Sequence, residues 1–249
     1  MFALAAQIAI PADRQTGIER AHAESAEFAE LRTGHRVAVF LPANNVVTQM
    51  LCKAVGNTGH VYAVVAPSAA RGAREPLIDY FASDSCTNVT ALTLHSRNYP
   101  APELYNSSDD PGAVYEYWEQ RLPIESFVAP QPLDMIWIAD SYQDLRSARF
   151  GSPNMMWVNS AFLKALKSGG VLIVEDYLIE DNAAASGSSV KKLRHNNSDQ
   201  VKTEVIAAGF EFIAESKAIH SDDDPHAPKT YKTHRTDRFL LKFRKPPED

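Results

Sequence analysis

The chain is poor in cysteine, in clustered positive charge and in long apolar runs, and each shortage excludes a class of protein. Two cysteines in 249 residues, Cys52 and Cys86, fit neither a disulfide framework nor a zinc site, since both need more thiols or clustered histidine at short spacing. Both are expected as small buried apolar residues. A net charge of −6 and a pI near 5.8 argue against a polyanion-binding surface, and the basic residues are scattered apart from Lys191-Lys192 and the stretch Lys242 to Lys245. Nucleic acid is therefore not expected as a partner. The apolar start Met1 to Ile10 (MFALAAQIAI) is too short to span a bilayer and lacks a basic flank. It reads either as an element packed on the domain or as the tail of a longer secretion signal. No membrane partner is expected, and the location is expected to be cytoplasmic, with the periplasm as the alternative if that start belongs to a signal.

What is present is an ordinary globular composition, 45% hydrophobic and 22% charged, with enough length for one sizeable core. One domain over 1–249 is expected. Apolar β-branched runs alternate with amphipathic stretches, the pattern of parallel strands joined by crossover helices. The strands are expected at Arg36 to Leu41, Val61 to Ala66, Val89 to Leu94, Leu133 to Ala139, Gly170 to Glu175, Phe210 to Ile219 and Arg238 to Phe243. Helices fit Ile18 to Leu31, Val46 to Val55, Arg74 to Ala82, Asn154 to Leu166 and Asp199 to Ala208, the last two entered through residues able to cap an exposed amide. The final two strands have only a polar loop between them, so they should pair antiparallel. Residues 1–33 are expected as an N-terminal helical segment, and 97–132 and 178–198 as insertions near a crevice at the carboxyl ends of the strands. The first insertion carries a helical pattern at Ala113 to Leu122 (AVYEYWEQRL), whose Tyr115, Tyr117 and Trp118 line a lid or pack their own helix.

Five βα units closed by an antiparallel hairpin are the order of class I methyltransferases, a Rossmann-like α/β fold with a seven-stranded, mostly parallel sheet and an antiparallel last strand. Longer segments carry a closer likeness. Gly34 to Ala66 (GHRVAVFLPANNVVTQMLCKAVGNTGHVYAVVA), Leu133 to Leu145 (LDMIWIADSYQDL), Phe162 to Asp176 (FLKALKSGGVLIVED), Val201 to Phe210 (VKTEVIAAGF) and Thr236 to Pro246 (TDRFLLKFRKP) follow one another in the right order. Together they resemble a family of bacterial class I methyltransferases that depend on S-adenosylmethionine (SAM). The resemblance implies SAM as cofactor and a small molecule as substrate, and leaves a homodimer open.

The cofactor motif of that family is degenerate here. A glycine-rich turn after the first strand lets the backbone approach the cofactor, and an acid on the second strand accepts hydrogen bonds from the ribose hydroxyls. In this chain the first turn reads Val39-Phe40-Leu41-Pro42-Ala43-Asn44-Asn45, without its acid or its glycines, and the ribose acceptor falls on Val65. Two lost hydrogen bonds at roughly 1.5–3 kcal/mol each weaken SAM on the order of a hundredfold to ten-thousandfold. If SAM binds, the resemblance places it against Pro42, Ala43, Asn44, Asn45, Thr48, Val65 and Asp140, with Asn44, Asn45 and Thr48 supplying the polar contacts. The alternative is a non-catalytic or SAM-independent descendant that keeps the crevice for another ligand or partner.

Candidate catalytic residues follow the strands whose ends face the crevice. Asp140 and Tyr142 come directly after the fourth expected strand; Gln143, where the family places a histidine, can orient a substrate but cannot take a proton. His195 is the one imidazole near the crevice placed for a general base, against the plain reading of a surface histidine beside Arg194. Asp176 and Tyr177 end the fifth strand; with Asp140 they carry oxygen ligands that suit magnesium. Turn capping explains these carboxylates more simply, and no metal is expected. His220, His226 and His234 beside Asp222 to Asp224 read as a solvated loop.

Overall fold

A computed structural model of the chain describes residues 23–40, 45–65, 86–95, 118–146, 153–177, 197–217, 219 and 238–247. Among them β1 (Arg36–Phe40), β2 (His60–Val65), β3 (Val89–His95), β4 (Trp118–Pro123), β5 (Leu133–Ala139), β6 (Leu166–Tyr177), β7 (Glu211–Ser216) and β8 (Arg238–Arg244) form one eight-stranded sheet in the order β4-β3-β2-β1-β5-β6-β8-β7. Helices α1 (Asn45–Val55), α2 (Tyr142–Leu145), α3 (Met155–Ala165) and α4 (Ser198–Ala207) accompany it. All seven expected strands are present, the first six strands of the sheet run parallel, and β8 lies antiparallel to both β6 and β7.

The alternation of side chains along each strand sorts the core onto two faces. On β1, Ala38 and Phe40 join a cluster with Phe127, Phe162, Val201 and Phe243, while Val37 and Val39 join another with Leu51, Cys52, Val55 and Cys86. Strands buried on both faces explain why the runs read as continuous β-branched stretches and not as alternating ones. Helix α3 starts where Asn154 accepts the Met156 amide at 3.0 Å, and α4 where Asn197 accepts the Asp199 and Gln200 amides. Residues 23–28 are helical, and buried Lys242 ties this segment down through Nζ to the Phe28 carbonyl at 3.1 Å and to Glu30 at 3.0 Å.

Two expectations are corrected. The helix at Ala113 to Leu122 is not formed over its described part, where Trp118–Pro123 is a strand parallel to β3. Pro123 disfavours helical backbone at Leu122, and the otherwise open edge of β3 supplies hydrogen-bond partners that a helix would have to find within itself. This adds an eighth strand outside the seven expected. The cysteines are also not separate buried apolar residues: Cys52 on α1 and Cys86 ahead of β3 are joined as a disulfide, with their Cα atoms 5.3 Å apart. Both are buried, as expected, but packing α1 over the sheet places side by side two thiols that lie 34 positions apart in sequence. The expected helix at Arg74 to Ala82, residues 97–117 of the first insertion and 178–196 of the second lie outside the described residues.

Candidate functional site

The carboxyl ends of β1, β5 and β6 meet the start of β8 at one pole of the sheet, and polar side chains converge there. Asp140 follows β5 with φ at 54°, a left-handed conformation uncommon outside glycine. Its amide donates to the Glu175 carbonyl at 2.8 Å, one more rung of the β5–β6 ladder before the positive φ takes the chain off the strand. Antiparallel pairing sets Tyr177 opposite Arg238 and Glu175 opposite Leu240. The Arg238 guanidinium thereby reaches Asp140 in an ion pair and Glu175 at 2.6 Å, and lies over the Tyr177 ring. Glu175 also accepts the Trp137 indole N–H at 3.0 Å, and the Tyr177 hydroxyl approaches Asp140 at 3.4 Å. Beneath them Asp176 accepts the amides of Gln143 at 3.2 Å and Tyr177 at 2.8 Å, holding the start of α2 against the sheet. Ser141 donates its hydroxyl to the Phe40 carbonyl and joins the end of β1 to the same floor.

Burial dominates the electrostatics. Desolvation raises the Asp140 carboxyl above its ordinary range, with Arg238 opposing and Glu175 adding to the rise. Asp176 is pushed up to about 7, first by burial and then by the charge of Asp140. Tyr177 is raised by burial and by Asp140. For Arg238 burial works against the charged form, but Glu175 and Asp140 outweigh it and hold the guanidinium above its usual value. The result is a floor of opposed charges, in which Asp140 is held between a cation and a phenol.

The expected site residues fall out differently. Asp140 stands directly after β5, with its carboxylate in an ion pair. Tyr142 is fully buried: its hydroxyl accepts from Asn159 at 2.9 Å and donates to Glu204 at 3.2 Å, and Arg146 pairs with Glu204 at 2.5 Å. Burial first of all raises its phenol above the ordinary range, so it is neither accessible nor ionisable enough for proton transfer. Substituting Tyr142 with Phe is expected to act on stability alone. It removes the acceptor of the Asn159 amide, at a cost of about 1–2 kcal/mol, and lowers the melting temperature by about 5 °C in a thermal melt. Ligand affinity unchanged within error is part of the expected result.

Thr48 is fully buried in α1 with no hydrogen-bond partner for its hydroxyl, so it does not offer a polar contact at the surface of the crevice. Val65 ends β2 at 5% exposure, packed with Val39, Ala63 and Ala139 in the same core cluster. Asn45 opens α1, while Pro42, Ala43, Asn44 and His195 lie outside the described residues, as do Arg194 and the loop histidines. Among the described residues no group of three or more His, Cys, Asp or Glu is arranged to hold a metal ion; Arg238 takes the place between Asp140 and Glu175. No helix of the described residues is long and apolar enough to cross a membrane. Sequence reasoning missed Arg238, Glu175 and Trp137. The available signal was Glu175 inside the apolar run GVLIVED, since a carboxylate buried in a parallel strand requires a partner.

No protein-family profile and no curated protein matches this chain in sequence. Solved structures do match in fold. A SAM-dependent methyltransferase from Aquifex aeolicus is 13% identical, covering 90% of this chain and 88% of its own, with a TM-score of 0.50. The N-methyltransferase NodS from Bradyrhizobium japonicum is 12% identical, with 94% and 99% covered and a TM-score of 0.54. The cyclase SpnF is 16% identical, with 94% and 83% covered and a TM-score of 0.53. The fold is that of class I methyltransferases, with its Rossmann-like mixed sheet and antiparallel last strand. At these identities the likeness shows the fold, and activity has to be argued from the site.

Proposed function

We propose that this chain is a methyltransferase-fold protein that holds a small molecule in its crevice and does not use SAM as a methyl donor. The observation that carries this is Val65. The resemblance puts the ribose acceptor at the end of β2, and there a hydrocarbon side chain with no acceptor is packed into the core. SAM does not fit the described part of the site. Asp140, the one charged candidate for cofactor contact, is already engaged by Arg238 and Tyr177, so using it would require breaking an ion pair. The fold itself does not commit the chain to methyl transfer, because among the similar structures one is named as a cyclase. The likeness to methyltransferases favours the other reading, SAM-dependent methylation of a small molecule.

Calorimetric titration of the purified full chain with SAM, and separately with S-adenosylhomocysteine, separates the two. The expected result is no binding of either at millimolar ligand. Binding in the micromolar range would overturn the proposal, because it would mean that contacts outside β2 replace the lost acceptor.

A further inference from the structure

The Cys52–Cys86 pair is used by nothing in the crevice, and it stands independently of the reading above. Cys52 lies in the second half of α1 and Cys86 three residues ahead of β3, so the bond closes the chain covalently from α1 through β2 to the entrance of β3. Both residues are buried, at 2% and 0% exposure, in the cluster that packs α1 on the sheet with Val37, Leu51, Val55, Val61 and Val89. Cys86 and Cys52 account for all the cysteine in the chain, so no third thiol is present to resolve or reshuffle the bond.

We propose that Cys52–Cys86 is a permanent structural cross-link, formed while the chain folds in an oxidising compartment. A disulfide sealed in an apolar cluster is out of reach of an external thiolate once folding is complete, so it has to form earlier and then persists. Formation is two exchange steps with a donor disulfide. One cysteine thiolate attacks the donor to give a mixed disulfide, and the second cysteine thiolate displaces the donor sulfur. The two thiol protons and two electrons pass to the donor, which leaves as a dithiol. A reducing cytosol opposes this outcome, whereas secretory and periplasmic spaces supply such donors. Of the two locations open from sequence, the cross-link selects the oxidising one.

The test uses the full chain produced in an oxidising compartment of an expression host. Denatured without reductant, it is expected to take up no N-ethylmaleimide by intact-mass measurement, and two equivalents after reduction. Two equivalents before reduction would overturn the proposal. Folded protein held in millimolar dithiothreitol is expected to keep the bond for hours. Reduction within minutes would overturn permanence and make the pair a switch. Unfolding, reduction and refolding under reductant are expected to lower the melting temperature on the order of 10 °C, from the entropy that the closed loop removes from the unfolded chain. Failure of the reduced chain to refold supports the same role, and a melting temperature within about 2 °C of the oxidised chain would overturn it.

Discussion

Replacing Arg238 with alanine is expected to lower the melting temperature by about 10 °C at pH 7.5, the largest loss among single substitutions at the crevice. The guanidinium reaches Asp140, whose side chain is 19% exposed, and Glu175, whose side chain is 2% exposed. Removing it leaves Glu175 with the Trp137 N–H against a full buried charge, and leaves Asp140 with the Tyr177 hydroxyl. Breaking a buried ion pair from one side costs roughly 3–5 kcal/mol, and the partial exposure of Arg238 and Asp140 places this case near the lower end. Lysine keeps the charge but has one ammonium for two carboxylates, so Arg238→Lys is expected to lose about half as much. Lowering the pH to 5 should recover part of the alanine loss, because Asp140 starts with a raised carboxyl and protonates early once its cation is gone. Thermal melts of both variants at the two pH values check this. An alanine variant melting within about 2 °C of the parent at pH 7.5 would show that the cluster contributes nothing to the fold.

Asp176→Asn is expected to become progressively more stable relative to the parent as pH rises from about 4 to about 8. Asp176 titrates near 7 in the folded chain and near its ordinary value of 3.8 when unfolded. Between those values the folded state binds more protons, so rising pH removes stability through this carboxyl. The amide is neutral at every pH and abolishes that slope, although its NH2 can no longer accept one of the two backbone amides that the carboxylate holds. A tenfold change in proton affinity is worth about 1.4 kcal/mol, so the difference between the variant and the parent should grow by on the order of 4 kcal/mol across the window. Asp140, itself raised, adds a fall with pH of the same sign, and further groups bend the absolute curve. Asp134 is lowered, its burial outweighed by the Arg36 amide and Lys167, so its contribution is lost only as pH falls below its ordinary 3.8. His35 is lowered by burial and makes stability rise with pH just below its ordinary 6.5. Subtracting the parent's denaturant-unfolding curve from the variant's at each pH removes both. A difference that stays flat from pH 4 to 8 would mean that Asp176 is ionised throughout.

Together the two substitutions address how the crevice floor is built. Arg238 balances the carboxylates that follow β5 and β6, and Asp176 ties the first amide-bearing residues of α2 to the end of β6. Both are fold-preserving roles placed where this fold ordinarily presents side chains to a ligand.

The legible parts of this protein were those whose cause is local. Runs such as RVAVF, HVYAVV and LDMIWIA are long enough and sufficiently β-branched to declare strands, and Asn154 and Asn197 announce the helices they cap. The antiparallel final pair followed from the lack of a helical pattern between its strands. That a hydrocarbon side chain, Val65, ends β2 was equally readable, because it depends only on counting along a strand.

What tertiary structure alone decided was which distant residues meet. The WEQRLP stretch has an acceptable helical pattern in isolation and became a strand because β3 offered it an edge. Tyr142 follows the expected strand in sequence, yet α3 and α4 close over it and take its hydroxyl. Two cysteines with nothing between them to suggest a pair are brought together only when α1 lies down on the sheet. Arg238 and Glu175 lie far apart along the chain, and the register that sets Tyr177 opposite Arg238 turns them into an ion pair. Periodicity and capping are short-range effects written into neighbouring residues, so the sequence by itself determined the seven expected strands, their order and the capped helices. Contacts across the sheet depend on register and layer packing, so the contents of the crevice and the cross-link were decided only by the fold.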